Sequence, residues 1–412
     1  MTKEQDLKKN MLWNAAGNLI YLGSQWLITV LVANIGNFKD AGILSIAMSI
    51  SATFQTLAMF GIRNFQISDV ENKYSDSAYV KFRVVTCTVA LLGCMLFSLL
   101  GGYGVGYLLP IFIFMLFRLS ENFSDVLHGI AQKNGRLDIA GKSFAIKGLS
   151  TLVIFIAGYK LSDNLSVSLL LMAALSWTST LLYDMVVVRK LSQFRLWTPR
   201  LDWFSLAKET APLCIYLFLS AAIYTVPKLI LEQRCGEEIL GAYSSIFAPA
   251  LLISTAAGYL YTPFVPSFAE ARQENDSRAF IKLFLKISVA VAAFALITVI
   301  AAVFLGDFAL GLLFGDKILG YTYLLIPILV SIFVNAMFTF LCTLCVVLRD
   351  FRGLLVACAA GLVCEVAVTG AWIDASGVNA TSYGYILACA ISGIMLLFRM
   401  LYLLFGKNKK GV

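Results

Sequence analysis

Residues 287–306 read ISVAVAAFALITVIAAVFLG, a run without one charged side chain between Lys286 and Asp307. A helix rises about 1.5 Å per residue, so a run of this length reaches across most of a hydrocarbon core about 30 Å thick. It lacks the alternation of a barrel strand, so its backbone must satisfy its own hydrogen bonds as a helix in lipid. Eleven further apolar runs, charge-free or nearly so, read the same way: 11–36, 41–62, 84–101, 105–130, 143–159, 164–186, 210–231, 239–266, 320–348, 353–373 and 379–400. Composition agrees with them. Of 412 residues, 59% are hydrophobic and only 14% charged, and the mean hydropathy is +0.83, whereas a soluble domain is about one quarter charged. A water-soluble multidomain enzyme is excluded, because folding in water could not hide that much apolar surface. The chain is expected to be an all-α integral membrane protein of about twelve transmembrane helices.

Twelve spans put both termini on one side, and the basic residues say which. The termini and even-numbered connections hold 25 of the 32 Lys and Arg, the odd-numbered connections hold four (Lys39, Lys160, Arg234 and Lys317), and Arg118, Lys147 and Lys228 lie within spans. Both termini are therefore expected in the cytoplasm. The net charge of +8 is spread over short loops, so it reads as a topological signal and not as a nucleic-acid surface. Residues 1–10 run into the first span without a small-residue cleavage site, which reads as an uncleaved first helix. Eight of the nine cysteines fall inside spans, and no disulfide framework or metal spacing follows from them.

The longest connection on the basic side, Arg189 to Glu209, divides the spans into two sets of six. The expected halves are 1–195 and 196–412, related as parallel repeats. At an offset of 199, Gly42, Ser45 and Thr56 coincide with Gly241, Ser244 and Thr255. Polar side chains fall on stripes in four spans: Asn14, Asn18, Tyr21, Gln25 and Thr29 in the first, Ser45, Ser49, Thr53 and Thr56 in the second. The seventh carries Tyr216, Ser220, Tyr224 and Lys228, and the eighth carries Ser244, Ser245, Ser254, Thr255, Tyr259 and Thr262. Three-and-four spacing places each set on one helix face. Such stripes either glue helices together or line a hydrated cavity, and their recurrence in matching spans favours the cavity. Pro263 and Pro266 predict that the eighth span breaks near its end.

Ionisable groups at bilayer depth cost several kcal/mol unless paired or hydrated. The fourth span carries Arg118, Glu121, Asp125 and His128 at steps of three, four and three, all on one face. Arg118 can pair with Glu121 one turn on, so a structural and a functional role are both open. His128, the only histidine in the chain, is expected at the membrane interface. Lys147 and Lys228 have no acidic residue within a turn and need a partner from another helix, a ligand or water. Glu365 stands alone in the eleventh span and Asp184 lies near the inner end of the sixth; a buried carboxyl group of this kind can carry a proton.

Enzymatic chemistry is poorly supplied. The segment GRLDIAGKS (Gly135 to Ser143) has five residues between its glycines where a Walker A loop has four, and it follows no strand. No external loop exceeds about 12 residues, too little for the extramembrane catalytic loop of a membrane glycosyltransferase. No catalytic residue, metal site or cofactor is expected. Transport without covalent chemistry remains.

GIRNFQISDVENKYS (Gly61 to Ser75), GIAQKNGRLDIAGKS (Gly129 to Ser143), PKLILEQRCGEEILGAYS (Pro227 to Ser244) and LFGD (Leu313 to Asp316) together resemble the polysaccharide transporter branch of the multidrug/oligosaccharidyl-lipid/polysaccharide (MOP) exporter superfamily. The resemblance implies a V-shaped pair of six-helix lobes of the MATE type. It implies a flippase of the bacterial inner membrane for undecaprenyl-pyrophosphate-linked oligosaccharide repeat units, working as a monomer and feeding a polymerase and chain-length machinery for O-antigen, capsule or exopolysaccharide. It implies basic residues around the pyrophosphate, a role that falls to Arg118, Lys147 and Lys228, with Arg63 at the cytoplasmic mouth. Sugar hydroxyls would meet Asn14, Asn18 and Gln25, while Glu121, Asp125 or Glu365 would couple transport to protons. Asp69 and Arg136 sit in the family-like loops, where they would lock the inner gate. The alternatives are a drug or organic-cation antiporter of the same fold, a membrane enzyme acting on lipid-linked sugars, and a scaffold for glycan assembly. Unpaired Lys147 and Lys228 would count against the antiporter, whose cavity should be acidic and aromatic.

Overall fold

The computed structural model describes residues 3–69, 73–194 and 203–406. Among these residues every regular element is helical. They form α1 (Lys3–Ile35), α2 (Phe38–Met59), the short α3 (Ile62–Ser68), α4 (Asp76–Leu100), α5 (Val105–Lys133) and α6 (Leu137–Ser162), followed by α7 (Leu165–Arg189). The helix Trp203–Tyr261 is interrupted at Gly236, whose φ of 82° and ψ of 173° suit glycine and few other residues. It is therefore two helices, α8 (203–235) and α9 (237–261). After a 3₁₀ turn at Thr262–Phe264, where Pro263 ends the helix as expected, come α10 (Val265–Gln273), α11 (Ser277–Phe314), α12 (Leu325–Val347), α13 (Phe351–Ser376) and α14 (Asn379–Phe405). Eleven helical segments are long and apolar enough to cross a membrane. One of them, Phe204–Gln273, contains the break at Gly236, so the described residues supply the twelve expected spans.

The boundaries differ where charges misled the sequence reading. The third span begins at Asp76 and not at 84, capped by Ser75, whose side chain accepts from the Ala78 N–H. Arg83 lies inside it and is fully buried. The ninth, α11, extends beyond the charge-free run at both ends. Its lipid-facing character is plain from Phe304, Phe308 and Leu312, which are 80%, 73% and 74% exposed; a helix apolar all round with so little protein against it belongs in hydrocarbon.

Two compact units divide the chain: Met1–Gly36 with Ile43–Phe218, and Asn37–Gly42 with Leu219–Val412. The division expected between 195 and 196 lies outside the described residues. In the first unit α1 packs along α6, and α5 packs against α4 and α7. In the second, α14 packs against α12 and α13. Asp350 caps α13 through the Gly353 N–H and receives the Arg399 guanidinium of α14 at 2.7 and 3.3 Å.

The second unit also holds a close crossing between the start of α2 and the start of α9. A Cβ on Gly42 would strike the backbone carbonyl of Glu237, and one on Gly241 would strike that of Phe38. An offset of 199 carries Phe38 onto Glu237 and Gly42 onto Gly241. Each contact is thus the image of the other, the signature of a local two-fold axis. The glycines that gave the repeat its trace are needed because the backbones touch there.

Candidate functional site

Three groups of charges in the first unit are built around α5. Arg118 and Glu121 pair at 2.8 Å one turn apart, and Gln55 of α2 reaches Glu121 at 3.4 Å and Asn122 at 3.3 Å. The Arg118 guanidinium also lies over the Phe114 and Phe117 rings, 5.1 and 5.8 Å from their centroids. Its charge is met within the helix, as the i,i+3 spacing allows.

One turn on, Asp125 receives two guanidinium groups. Arg63 of α3 binds Oδ1 at 3.0 Å, and Arg83 of α4 binds Oδ2 at 2.8 Å. Arg83 also donates to the Ala58 carbonyl at 2.5 Å, an acceptor that Thr86 shares at 2.8 Å. That carbonyl lies in the last turn of α2, where backbone acceptors have no intrahelical donor. The chain turns at Phe60 and Gly61, both with positive φ, and this turn starts α3 and aims Arg63 back at α5. Arg63 makes a further bond to Gln132 at 3.2 Å.

The third group is the most deeply buried. α5 and α7 run parallel and join through a polar ladder: Ser120 to Ser176 at 2.5 Å, Ser124 to Thr180 at 3.0 Å, and His128 Nε2 to Asp184 Oδ1 at 3.2 Å. The lower rungs fall where α7 widens into a π-helical turn, Thr180–Asp184. Lys147 of α6 completes the group, donating to Ser124 Oγ and to Asp184 Oδ2, the latter at 2.9 Å. Lys147, Asp184 and His128 are all essentially unexposed. Lys147 therefore finds its partner on another helix and presents no free charge. His128, expected at the membrane interface, is enclosed by protein, with its ring edge-on to Phe144.

The α1 stripe behaves differently. Asn18 donates to the Asn14 carbonyl at 2.8 Å, and Thr29 to the Trp26 carbonyl at 2.6 Å. Gln25 Nε2 and the Tyr21 hydroxyl are buried without a partner among the described residues. The stripe on α2 is likewise partly spent on its own helix, with Thr53 and Thr56 donating to carbonyls one turn back.

In the second unit Lys228 of α8 is buried, and no carboxylate pairs with it among the described residues. Its ammonium donates to the Tyr224 hydroxyl at 2.7 Å. It lies 4.1 Å from the Tyr224 ring centroid and 4.5 Å from that of Phe247. Tyr385 of α14 closes this frame, 6.3 Å from Tyr224 and 6.5 Å from Phe247. Cation–π attraction holds the ammonium without neutralising it. Glu365 of α13 is fully buried, and neither carboxyl oxygen has a partner among the described residues. The Thr369 hydroxyl, one turn further, is equally unpartnered.

Outside the spans, Asp69 follows α3 and is tied to the start of the next described segment. It accepts from the Lys73 N–H at 2.8 Å, the Tyr74 N–H at 3.1 Å and the Tyr79 hydroxyl at 2.8 Å. Burial works to raise its pKa, but these three donors outweigh burial and hold the carboxyl below its ordinary value of 3.8. Arg136 binds Asp138 at 2.8 Å. Sequence reasoning missed Arg83 and the pairing of Asp184 with Lys147 and His128. The Ser75–Asp76 cap was the signal that would have drawn Arg83 into α4.

A family model described as "Polysaccharide biosynthesis protein" matches residues 7–272. The capsular polysaccharide biosynthesis protein CapF of Staphylococcus aureus is 27% identical over 314 residues, which cover 75% of this chain and 78% of that protein. Among solved structures, the lipid II flippase MurJ in an inward closed conformation matches with a TM-score of 0.73 at 11% identity, over 98% of this chain and 93% of that one. A multidrug resistance MATE family transporter of the MOP superfamily, in an inward-facing conformation, matches with a TM-score of 0.70 at 12% identity, over 98% and 100%. At such identities the structural likeness is one of fold, and it bears out the expected MATE-like helical bundle.

Proposed function

The chain belongs to the polysaccharide biosynthesis protein family, and from that premise we propose that it is a flippase for undecaprenyl-pyrophosphate-linked oligosaccharide repeat units. It carries them by alternating access from the cytoplasmic to the outer leaflet of a bacterial inner membrane, without covalent chemistry, and hands them to polysaccharide assembly. The family supplies the pathway, and a fold that a lipid II flippase shares supplies a mechanical precedent. The same fold serves a multidrug transporter, so fold alone does not choose the substrate.

The observation that carries the choice is Lys228. A buried ammonium framed by Tyr224 and Phe247 with no carboxylate partner among the described residues is costly to keep. It is suited to an anion that arrives with the substrate, and a diphosphate answers that need. An acidic, aromatic cavity for organic cations would not hold a cation of its own at its centre. Moving a diphosphate through hydrocarbon unaided is prohibitive.

Arg118 and Lys147 are assigned here to scaffolding, because Glu121 and Asp184 already meet their charges. Asn14, Asn18 and Gln25 remain the proposed contacts for sugar hydroxyls. Glu365, with both oxygens unspent, is the proposed proton carrier: ionised in that place it is uncompensated, and binding a proton removes the penalty.

The test is reconstitution in liposomes with a fluorescent undecaprenyl-pyrophosphate oligosaccharide. Wild-type protein should move it across the bilayer above protein-free liposomes. Lys228→Ala should abolish movement while remaining folded, and Lys228→Arg should retain part of it. Wild-type rates in Lys228→Ala would remove Lys228 from the site. Export of ethidium with no lipid movement would favour the cation antiporter.

A further inference from the structure

α11 begins with three cations on one face. Arg278, Lys282 and Lys286 follow one another at steps of four, so they line up along a single side of the helix. All three are exposed, and none pairs with a carboxylate among the described residues. The other side of the same turns is the protein side. Phe280, Phe284 and Ile287 are buried there, with Phe280 against Phe268 at 4.8 Å and Phe284 against Phe340 at 5.7 Å between ring centroids. A helix of about 3.6 residues per turn sets the cations nearly opposite those three. At other helix ends a carboxylate meets the basic side chain, as Asp138 meets Arg136 and Lys142, and Asp350 meets Arg399. Here the nearest carboxylate in sequence, Asp276, is spent on capping and accepts from the Arg278 and Ala279 N–H groups. The charge of the stripe therefore points sideways, away from the capped end of the helix.

What lies to that side is lipid. The charge-free run starts at Ile287, directly after Lys286, so the stripe begins at the edge of the hydrocarbon and reaches about 12 Å outward along the axis at about 1.5 Å per residue. The same face continues into the hydrocarbon as Val289, Ala293 and Leu296, all exposed, the first and last by 67% and 62%. Cations followed by bare apolar side chains on one face repeat the order of a phospholipid, headgroup and then acyl chain. A charge anywhere in the connection would serve to orient the helix, whereas three aligned on the lipid side also make a surface. We propose that Arg278, Lys282 and Lys286 bind an anionic glycerophospholipid of the surrounding bilayer, with its phosphate on the cations and its acyl chain along Val289, Ala293 and Leu296. A zwitterionic headgroup brings its own ammonium to the stripe and gains little; an anionic one brings only negative charge. Beside hydrocarbon this attraction is screened less than in open water. The lipid packs α11 on the side where it has no protein, and the site does not depend on what the chain transports.

Native mass spectrometry of the purified full chain in detergent, given equal amounts of phosphatidylglycerol and phosphatidylcholine, tests the site. Each Lys or Arg near an anionic lipid surface is worth about fivefold in binding. Wild type should therefore retain phosphatidylglycerol over phosphatidylcholine by about tenfold or more, and the triple variant Arg278→Gln, Lys282→Gln, Lys286→Gln should lose about tenfold or more of that preference. A variant with the same loss of charge elsewhere, Lys160→Gln, Lys190→Gln, Lys317→Gln, should keep it. An unchanged preference in the first variant, or an equal loss in the second, overturns the proposal. Should the first variant not fold, acetylation of the wild-type lysines decides. Phosphatidylglycerol should slow modification of Lys282 and Lys286 severalfold relative to phosphatidylcholine and leave Lys317 unchanged; equal rates at Lys282 and Lys286 in the two lipids overturn the proposal.

Discussion

Asp184→Asn isolates the worth of the deepest charge group. The change keeps the shape of the side chain and leaves an acceptor for His128 Nε2, which lies 3.2 Å away. It removes the charge opposite Lys147 Nζ, now at 2.9 Å. The Lys147 ammonium, 1% exposed, is left with the Ser124 hydroxyl and an amide. Removing one partner of a buried pair costs about 3–5 kcal/mol, because the remaining charge is uncompensated. An unfolding entropy of about 2.1 cal/mol/K per residue over 412 residues is roughly 0.9 kcal/mol/K. The loss should therefore lower the melting temperature by roughly 3–6 °C. Lys147→Met should cost less, since the Asp184 carboxylate keeps its contact with His128 Nε2 at 3.2 Å. Joining the two changes removes both charges and both desolvation penalties, and the double variant should melt within about 2 °C of wild type or above it. The assay is the fraction of monodisperse protein surviving heat steps in detergent. If Asp184→Asn melts with wild type, or the double variant falls as far as the single one, the pair is not the buried ion pair described here.

Three further outcomes follow from the geometry. Gly42→Val and Gly241→Val should each lower stability by about 1–3 kcal/mol or more, since the new Cβ meets backbone and not a yielding side chain; unequal losses would refute the two-fold relation. Asp69→Asn should destabilise the protein at neutral pH and converge with wild type in acid. The folded-state pKa of Asp69 lies below 3.8, so its contribution is present above that value and disappears as pH falls through the folded one; a gap that does not shrink as pH falls below 3.8 would contradict this. Glu365→Gln should leave melting unchanged or raised while the proton-gradient dependence of lipid movement is lost, and retained gradient dependence in liposomes would remove Glu365 from coupling.

The span pattern was legible because lipid demands it: a run such as 287–306 has one physical reading. The rule that a charge ends a span failed at Arg83, and the reason is local. Arg83 is inside α4 because Asp125, 42 residues later, meets its charge. A rule that scores residues one at a time cannot see that compensation. The break between α8 and α9 was legible from the charges around it, whereas the continuation of helix to Gly236 on one side and from it on the other was not. At Gly42 and Gly241 the repeat itself carried the information, since two backbones in contact leave no room for a side chain on either.

Partners within one helix were legible and partners between helices were not. Arg118 and Glu121 sit three apart and pair as their spacing says. Lys147 and Asp184 are 37 apart, and nothing in either span names the other. The ladder of α5 on α7 comes nearest to a readable signal, because Ser120, Ser124 and His128 meet Ser176, Thr180 and Asp184 at one constant separation of 56. Polar positions repeating every four residues in two spans are what parallel, hydrogen-bonded helices require. Taken one by one, the intramembrane charges assign no function; pairing them gives a distinction. Arg118, Glu121, Lys147, His128 and Asp184 meet one another's charges and hold the first unit together. What remains unmet among the described residues is Lys228, Glu365 and the surplus of Arg63 and Arg83 over Asp125. A charge that the fold leaves unmet at bilayer depth costs stability in every molecule, and a substrate anion and a proton are the partners that would repay Lys228 and Glu365 during transport.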